Sequence, residues 1–360
     1  MNVVSLYSNC FLCPRRCGID RKKSHIQKHT NAQNNEYWYC RENAALRLAC
    51  ASIHRGEEPP ITGAGEHGVG GGSGTIFVSG CNLGCVYCQN SQISGTKYIQ
   101  PSPNLGRVVD TAEFAQICLL LQKKGAENIN IVTGSHAAPA IAEGIAAAKM
   151  DGLGIPVLWN SSAYELPETL EMLEDAVDVF LPDMKTLDKG IAVQFFNAPD
   201  YPNIAAAAIK KMLEMRSLRF QNCNSGTARL ISGVMVRHLV LPGCLPASRD
   251  VLRWFAENCA GRALLSLMFQ YTPPLRLTSM PNPKEVQAPA FLDRGPTRYI
   301  TGKEYETVLG WLGEFGIEDG YCQELVPGNT DWLPDFEKPN PFSSDLSVPV
   351  WHWKTGYIKP

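Results

Sequence analysis

Short apolar runs alternate with amphipathic segments through the middle of the chain. The amphipathic segments repeat their apolar residues every three or four positions, which is the spacing of one helical face. Residues 110–125 also carry end signals, with Asp110 and Glu113 at the start and Gly125 at the end. Strands are predicted at residues 75–80, 129–134, 155–160, 177–183, 234–242 and 263–271. Six strands that alternate with helices predict an α/β fold built from parallel βαβ units.

The two ends of the chain lack this alternation. After residue 275 the chain is rich in proline, with one helix predicted at residues 303–315. The tail at residues 334–360 is expected to be irregular or partly disordered. The predicted segments are an N-terminal Cys-rich segment at 1–62, a Gly-rich linker at 63–74, a core at 75–275 and an irregular C-terminal extension at 276–360.

Composition and charge narrow the class of protein. The chain has 360 residues, of which 44% are hydrophobic and 19% charged, so it can bury a large core. A net charge of -2 gives no sign of a basic face, which argues against nucleic-acid binding. The sequence has no secretory apolar stretch at its start and no later apolar run long enough to span a membrane. We therefore expect a cytoplasmic protein with no membrane partner.

The sequence has thirteen cysteines, an odd number, so they cannot all form disulfides with one another. Disulfide scaffolds are typical of short secreted chains without a core, so clustered cysteines in this chain are more plausibly metal ligands. One cluster comprises Cys10, Cys13, Cys17 and Cys40, and another comprises Cys81, Cys85 and Cys88. The remaining six are scattered and are expected to be buried structural thiols: Cys50, Cys118, Cys223, Cys244, Cys259 and Cys322. Among these, Cys244 follows a predicted strand directly, where active sites in such folds lie.

The second cluster follows the first predicted strand, at the end of a parallel sheet where catalytic residues gather. Its spacing is three residues and then two, and three thiolates leave one iron of a [4Fe–4S] cluster without a protein ligand. The alternatives are a buried trio of thiols or half of a zinc site.

This stretch, Cys81-Asn-Leu-Gly-Cys85-Val-Tyr87-Cys88, resembles the CxxxCxxC signature of radical S-adenosylmethionine (SAM) enzymes. Residues 10 to about 340 are also similar to the pyruvate formate-lyase activating enzyme-like family, in the stretches 10–21, 54–63, 73–94, 179–185 and 236–243. The resemblance implies a partial (βα)6 barrel. It implies a [4Fe–4S] cluster on Cys81, Cys85 and Cys88, with the amino and carboxylate groups of SAM on the open iron.

The implied activity is that of an oxidoreductase. Reductive cleavage of SAM yields methionine and a 5′-deoxyadenosyl radical, which abstracts hydrogen from a substrate; in activating enzymes that substrate is a glycine of a partner protein. The implied electron donor is a low-potential protein such as flavodoxin or ferredoxin. Two alternatives stay open: radical modification of a small molecule or peptide, and a non-catalytic, metal-stabilised binding protein.

The same resemblance implies roles for single residues. Tyr87 matches the aromatic position beside adenine, and Asp183 and Lys185 match an Asp-x-Lys that meets the ribose or methionine end of SAM. Residues 133–136, Thr-Gly-Ser-His, lack the acidic residue that the family uses for the SAM amino group. Four further residues near strand ends are candidate SAM or substrate contacts, with a structural role as the alternative: His136, Asn160, Ser161 and His238.

Cys10, Cys13, Cys17 and Cys40 supply a complete set of four thiolates. Such a set suits either a structural zinc ion or a second iron–sulfur cluster, because both accept four cysteines. A closed site of this kind would stabilise a segment too small to have its own core. The sequence leaves the choice between the two metals open.

Overall fold

One mixed sheet organises the fold in a computed structural model of the chain, which describes residues 6–22, 39–63, 71–94, 105–222, 228–273, 296–326, 328–342 and 345–358. The strands of these residues are β1 (Leu46–His54), β2 (Ser73–Val78), β3 (Arg107–Val109), β4 (Ile129–Val132), β5 (Val157–Ser161), β6 (Val179–Pro182), β7 (Arg219–Asn222), β8 (Ala228–Leu239), β9 (Leu264–Met268), β10 (Gly320–Cys322), β11 (Ser347–His352) and β12 (Gly356–Tyr357). The α-helices are α1 (Pro59–Thr62), α2 (Thr111–Lys123), α3 (Ala138–Met150), α4 (Pro167–Glu171), α5 (Lys189–Phe196), α6 (Tyr201–Met215), α7 (Leu245–Asn258) and α8 (Gly302–Glu314), and a 3₁₀ helix covers Ser135–Ala137.

The six predicted strands are confirmed as β2, β4, β5, β6, β8 and β9. They pair in parallel and in that order across the sheet, and β10 adds a further parallel strand beside β9. Each strand lies beside its predecessor and the order never reverses, which is the winding of a barrel rather than of a doubly wound sheet. The described strands at the two ends of this order, β10 and β12, do not pair with each other, so the barrel stays open. The predicted partial barrel is confirmed.

The predicted helices are also present. In α2, the Asp110 side chain caps the first turn by accepting a hydrogen bond from the backbone N–H of Glu113, as the sequence predicts. The buried residues of this helix form one stripe facing the sheet, namely Phe114, Ala115, Ile117, Cys118 and Leu121. The helix predicted at residues 303–315 is α8, which begins with a capping box between Thr301 and Glu304.

The prediction of an irregular tail after residue 334 is wrong where the chain forms β11 and β12. Strand β11 pairs antiparallel with β1, which in turn pairs antiparallel with β2, so both ends of the chain extend the central sheet. Pro349 is tolerated because it lies beside a register shift in β1, and because β12 pairs only with Trp351 and His352. The proposed segment boundaries at residues 62, 74 and 275 stay predictions, but the sheet crosses them.

Helix α1 fills the inner face of the open barrel near the amino ends of the strands. Ile61 packs with inner-face residues of β5, β6 and β8, and its carbonyl accepts a hydrogen bond from Asn128, just before β4. Beside it, Arg237 of β8 is buried and forms an ion pair with Glu57 and Glu58. This packing closes one end of the barrel and leaves the carboxyl ends of the strands for a functional site.

Candidate functional site

The loop after β2 carries Cys81, Cys85 and Cys88. Cys85 is buried, whereas the other two are partly exposed. Gly80 (φ +90°) and Gly84 (φ +73°) have left-handed backbone conformations that let the loop turn around the three thiols. The backbone N–H of Leu83 donates to Cys81 Sγ at 3.4 Å, the kind of N–H···S contact that stabilises a ligating sulfur.

Neighbouring strands hold this loop at the carboxyl end of the barrel. The Asn82 side chain donates to the Tyr164 carbonyl after β5 at 2.7 Å, and the Gln89 side chain donates to the Gln270 carbonyl after β9 at 3.3 Å. The backbone N–H of Val86 donates to the carbonyl of Phe195 at 3.0 Å. The cysteine loop therefore spans the mouth of the barrel from β5 to β9.

Tyr87 lies within this loop in an aromatic cluster. Its ring makes edge contacts with Phe195, Phe196 and Tyr271, at centroid distances of 5.9, 6.1 and 5.8 Å. The cluster fixes the side chain beside Cys85 and Cys88. Its contact with adenine stays a prediction.

Asp183 and Lys185 follow β6 and form an ion pair with each other, with Lys185 Nζ 2.7 Å from Asp183 Oδ2. Burial opposes the charge of Lys185, but the carboxylate of Asp183 holds the Lys185 pKa well above its usual range. The side chains stay 15% and 23% exposed, so a ligand can still reach both. The structure thus brings Cys85, Tyr87, Asp183 and Lys185 into one neighbourhood, and their contact with SAM stays a prediction.

Asn160 lies at the carboxyl end of β5 and is partly exposed. It shares the inner face of its strand with Leu158, which packs in the cluster of Ile61. It therefore faces the barrel interior near the site. Ser161 points to the opposite face, where its hydroxyl donates to Glu165 Oε2 at 2.7 Å.

Both candidate histidines, His136 and His238, are buried, at 2% exposure each. Both ring nitrogens of His238 have partners, the Met184 carbonyl at 2.7 Å and Ser248 Oγ at 2.9 Å, and burial lowers its pKa to about 4. These two hydrogen bonds fit a structural role for His238, which was the alternative to a SAM or substrate contact. His136 is also buried, and it lines the pocket of Cys10, Cys13, Cys17 and Cys40. Burial and the charge of Arg21 lower the His136 pKa to about 3.

Two residues that position the site, Tyr201 and Glu165, were not predicted from the sequence. Tyr201 donates to the Asp183 carbonyl at 2.7 Å and accepts from the backbone N–H of Lys185 at 3.0 Å, which fixes the backbone of that pair. The buried Glu165 accepts hydrogen bonds from three side chains of β4, β5 and their loops: Ser135, Trp159 and Ser161. Neither residue belongs to a sequence motif. Their hydrogen-bond partners lie on other segments of the chain or on a neighbouring loop, so the local sequence gives no signal for them.

Two residues near the carboxyl ends of the strands have a strained backbone. Thr133 (φ +65°) and Ala163 (φ +56°) have left-handed conformations that side chains disfavour, and they follow β4 and β5 respectively. Strained residues of this kind gather at ligand-binding sites, where the surrounding structure holds them in place.

Residues 75–219, which contain the cysteine loop and strands β2 to β6, match the Radical SAM superfamily. These residues form a radical SAM domain. The uncharacterized protein MJ0674 of Methanocaldococcus jannaschii is 25% identical over 278 residues, which is 77% of this chain and 70% of that protein. No described helix is long and apolar enough to cross a membrane.

Solved structures similar to this chain include SuiB of Streptococcus suis bound to its precursor peptide SuiA, with a TM-score of 0.44 and 12% identity over 68% of this chain. The same protein bound to S-adenosylmethionine has a TM-score of 0.44 and 11% identity. This chain spans only 46% and 48% of the lengths of those two SuiB chains. A domain of a pyruvate formate-lyase activating enzyme from Bacteroides vulgatus has a TM-score of 0.33 and 12% identity, over 51% of this chain and 89% of that domain.

The residues of the radical SAM domain suit the cofactors that this superfamily implies. Three thiols on one glycine-turned loop can each bind one iron of a [4Fe–4S] cluster and leave the fourth iron for SAM. Burial raises the pKa of the Cys88 thiol to about 11 and raises that of Cys85 further. Bound iron offsets this cost, because a metal displaces the thiol proton.

Proposed function

We propose that this protein is an enzyme that reductively cleaves SAM at a [4Fe–4S] cluster held by Cys81, Cys85 and Cys88. The observation that carries the proposal is the CxxxCxxC loop at the carboxyl end of the parallel strands of a radical SAM domain, next to a partly exposed Lys–Asp pair. Bound there, the reduced cluster and SAM would supply the radical chemistry: one electron would split SAM into methionine and a 5′-deoxyadenosyl radical, which could take a hydrogen atom from the substrate and leave as 5′-deoxyadenosine.

The chain's own residues would bind and orient the cofactors. Lys185 supplies a cation at the strand end, which suits the carboxylate of SAM, and Asp183 supplies an acceptor for a hydroxyl or ammonium group. Asn160 adds an amide on the inner face of β5. Tyr87 and its aromatic neighbours keep water from the interior side of the cysteine loop.

The finer assignment to the pyruvate formate-lyase activating enzyme-like family, and a protein glycine as the substrate, belong to the same proposal. It rests on the motif stretches at residues 10–21, 54–63 and 179–185. A low-potential donor protein such as flavodoxin or ferredoxin would supply the electron. Modification of a peptide or small molecule is the second candidate within the enzyme class.

Anaerobic reconstitution with iron and sulfide tests the proposal. With SAM and dithionite, the wild type is expected to form 5′-deoxyadenosine, measured by chromatography. The triple variant Cys81→Ala, Cys85→Ala, Cys88→Ala is expected to form none, because a protein without these thiolates cannot hold the SAM-binding iron.

Cys322→Ala serves as the matched control, since Cys322 lies in β10, outside the cysteine loop. The control should cleave SAM like the wild type. SAM cleavage by the triple variant would overturn the proposal. A wild type that binds iron and SAM but never cleaves SAM would instead favour the metal-stabilised binding protein.

A further inference from the structure

Four cysteines outside the radical SAM domain meet in one pocket. Cys10, Cys13, Cys17 and Cys40 line it together with Arg21 and His136. A tight turn brings the first three together: Gly18 N–H donates to the Cys10 carbonyl at 3.0 Å, and Arg16 N–H donates to the Cys13 carbonyl at 3.0 Å. All four cysteines are free thiols, so no disulfide accounts for their approach.

The arrangement of the thiols favours a cluster over a single ion. A zinc ion with Zn–S distances of about 2.3 Å would draw four sulfurs to within about 4 Å of one another. Among the described residues, no three His, Cys, Asp or Glu side chains form a group that could hold one metal ion, and this holds for Cys81, Cys85 and Cys88 as well. In a [4Fe–4S] cluster each thiolate binds a different iron, so its sulfurs stand farther apart than around zinc.

A buried cation balances the charge that such a centre would carry. Arg21 is only 2% exposed, and its Nη1 lies 3.6 Å from Cys10 Sγ and 2.7 Å from the His136 carbonyl. A buried guanidinium needs an anion nearby, and thiolates that bind a metal would supply one.

An unpaired nitrogen in the same wall points to a missing ligand. His136 is 2% exposed, and its Nδ1 is buried without a hydrogen-bond partner. A buried polar atom rarely stays unsatisfied, because losing water without a replacement is costly. A cluster in the pocket would offer sulfur acceptors to this nitrogen, and hydrogen bonds to sulfur also tune a cluster's potential.

The pocket adjoins the radical SAM loop. Arg15, between Cys13 and Cys17, donates from Nε to the Asn82 carbonyl at 2.9 Å and from Nη2 to the Leu83 carbonyl at 3.2 Å. The Tyr39 hydroxyl, next to Cys40, donates to the same Leu83 carbonyl at 3.1 Å. At Gly80, which precedes Cys81, an added Cβ would lie 2.9 Å from the Cys40 carbonyl and 2.8 Å from His136 Nε2.

We propose that Cys10, Cys13, Cys17 and Cys40 hold a second [4Fe–4S] cluster, with all four irons bound by protein, whose ligand loops lie directly against the loop of Cys81, Cys85 and Cys88. The site is complete without an exogenous ligand, so it binds no SAM. Its metal fixes the turn that carries Arg15. The inference does not rest on the proposed function, because the site and its metal can be measured without any turnover.

The test compares iron, acid-labile sulfide and zinc per chain in three full-length proteins reconstituted anaerobically. The wild type should contain about eight irons. The double variant Cys13→Ser, Cys17→Ser and the triple alanine variant of Cys81, Cys85 and Cys88 should each keep about four irons. The cysteines replaced in one variant leave the other site intact, so the triple variant still answers the question if the double variant fails to fold.

Electron paramagnetic resonance of the dithionite-reduced proteins identifies which cluster remains. Added SAM should change the signal of the double variant and leave that of the triple variant unchanged, since only the cluster with an open iron binds SAM. Cys118→Ala, within α2, is the control and should keep about eight irons. About one zinc per wild-type chain, lost in the double variant, would overturn the cluster assignment. A triple variant without bound metal would show that the second site does not exist.

Discussion

Lys185 is a partly buried cation just after β6, near Cys85 of the cysteine loop. Burying an ion pair seldom stabilises a fold more than a well-packed apolar pair would, because both charges lose water. The Lys185–Asp183 pair therefore has no clear advantage as a purely structural feature. A pair that stays partly exposed in a cleft is better explained as a ligand contact.

We expect Lys185→Ala to weaken SAM binding by about 10- to 100-fold, since a hydrogen bond to a charged group contributes about 1.5–3 kcal/mol. Iron content should not change, because Lys185 is not a cluster ligand. Equilibrium binding of SAM to the reconstituted protein measures the effect. Lys211→Ala removes an ion pair with Glu171 between α6 and α4, away from the cysteine loop, and should leave SAM affinity unchanged. If the two variants bind SAM with equal affinity, Lys185 has a structural role only.

At the scale of secondary-structure elements, Arg15 connects three segments of the chain. Besides the cysteine loop, it reaches the end of α5, where it donates to the carbonyls of Phe196 and Asn197 at 3.1 and 2.7 Å. Carbonyls at a helix end lack partners within the helix, and a cation there also complements the helix dipole. The Arg15 guanidinium packs over the Tyr39 ring at 3.5 Å. One planar group thus ties the N-terminal turn, the cysteine loop and α5 together.

Replacing Arg15 with lysine should loosen the cysteine loop, because one ammonium cannot reach carbonyls in several directions as a guanidinium does. We expect iron to leave the Cys81 site about ten times faster, equivalent to about 1.4 kcal/mol. Loss of the SAM-sensitive electron paramagnetic resonance signal on adding a chelator anaerobically measures the rate, in a protein whose first four cysteines are intact, because only the Cys81 cluster responds to SAM. Arg16→Lys changes the exposed neighbour and should match its parent. No difference between the two lysine variants would contradict the role of Arg15.

The whole molecule is built on a sheet that both chain ends complete. Strand β1 precedes the radical SAM domain and β11 follows it, yet the two pair with each other beside β2. Trp351 of β11 is fully buried against α2, where its Nε1 donates to Glu113 Oε1 at 3.1 Å and Arg107 packs over its ring at 4.8 Å. The C-terminal strand therefore stabilises the core from outside the domain.

We expect Trp351→Ala to lower the free energy of unfolding by about 3–5 kcal/mol, because it leaves a large cavity and removes a partly buried hydrogen bond. Urea denaturation followed by circular dichroism measures this change. Trp353→Ala alters a partly exposed neighbour in the turn that follows β11 and should cost less. An equal loss in the two variants would mean that β11 contributes no specific packing to the core.

The sequence by itself determined the parallel core and the cysteine loop. Apolar runs and helix caps act over a few residues, so β2, β4, β5, β6, β8 and β9 and the cap at Asp110 follow from local pattern. The spacing of Cys81, Cys85 and Cys88, and of Asp183 and Lys185, is likewise local. Strand β1, with mixed Ala, Ser and Cys, has no clear periodicity, and its pairing with β11 joins residues about 300 positions apart.

Only the tertiary structure decided how distant groups meet. It brought the first four cysteines into one pocket beside the cysteine loop, paired Lys185 with Asp183 and placed Tyr201 against both. It also gave both ring nitrogens of His238 partners and placed His136 in the wall of the cysteine pocket. The sequence specifies which side chain stands at each position. Which side chains become its neighbours depends on how the faces of the strands pack together. The chemistry of each group depends on burial and nearby charge, which exist only once the chain has folded.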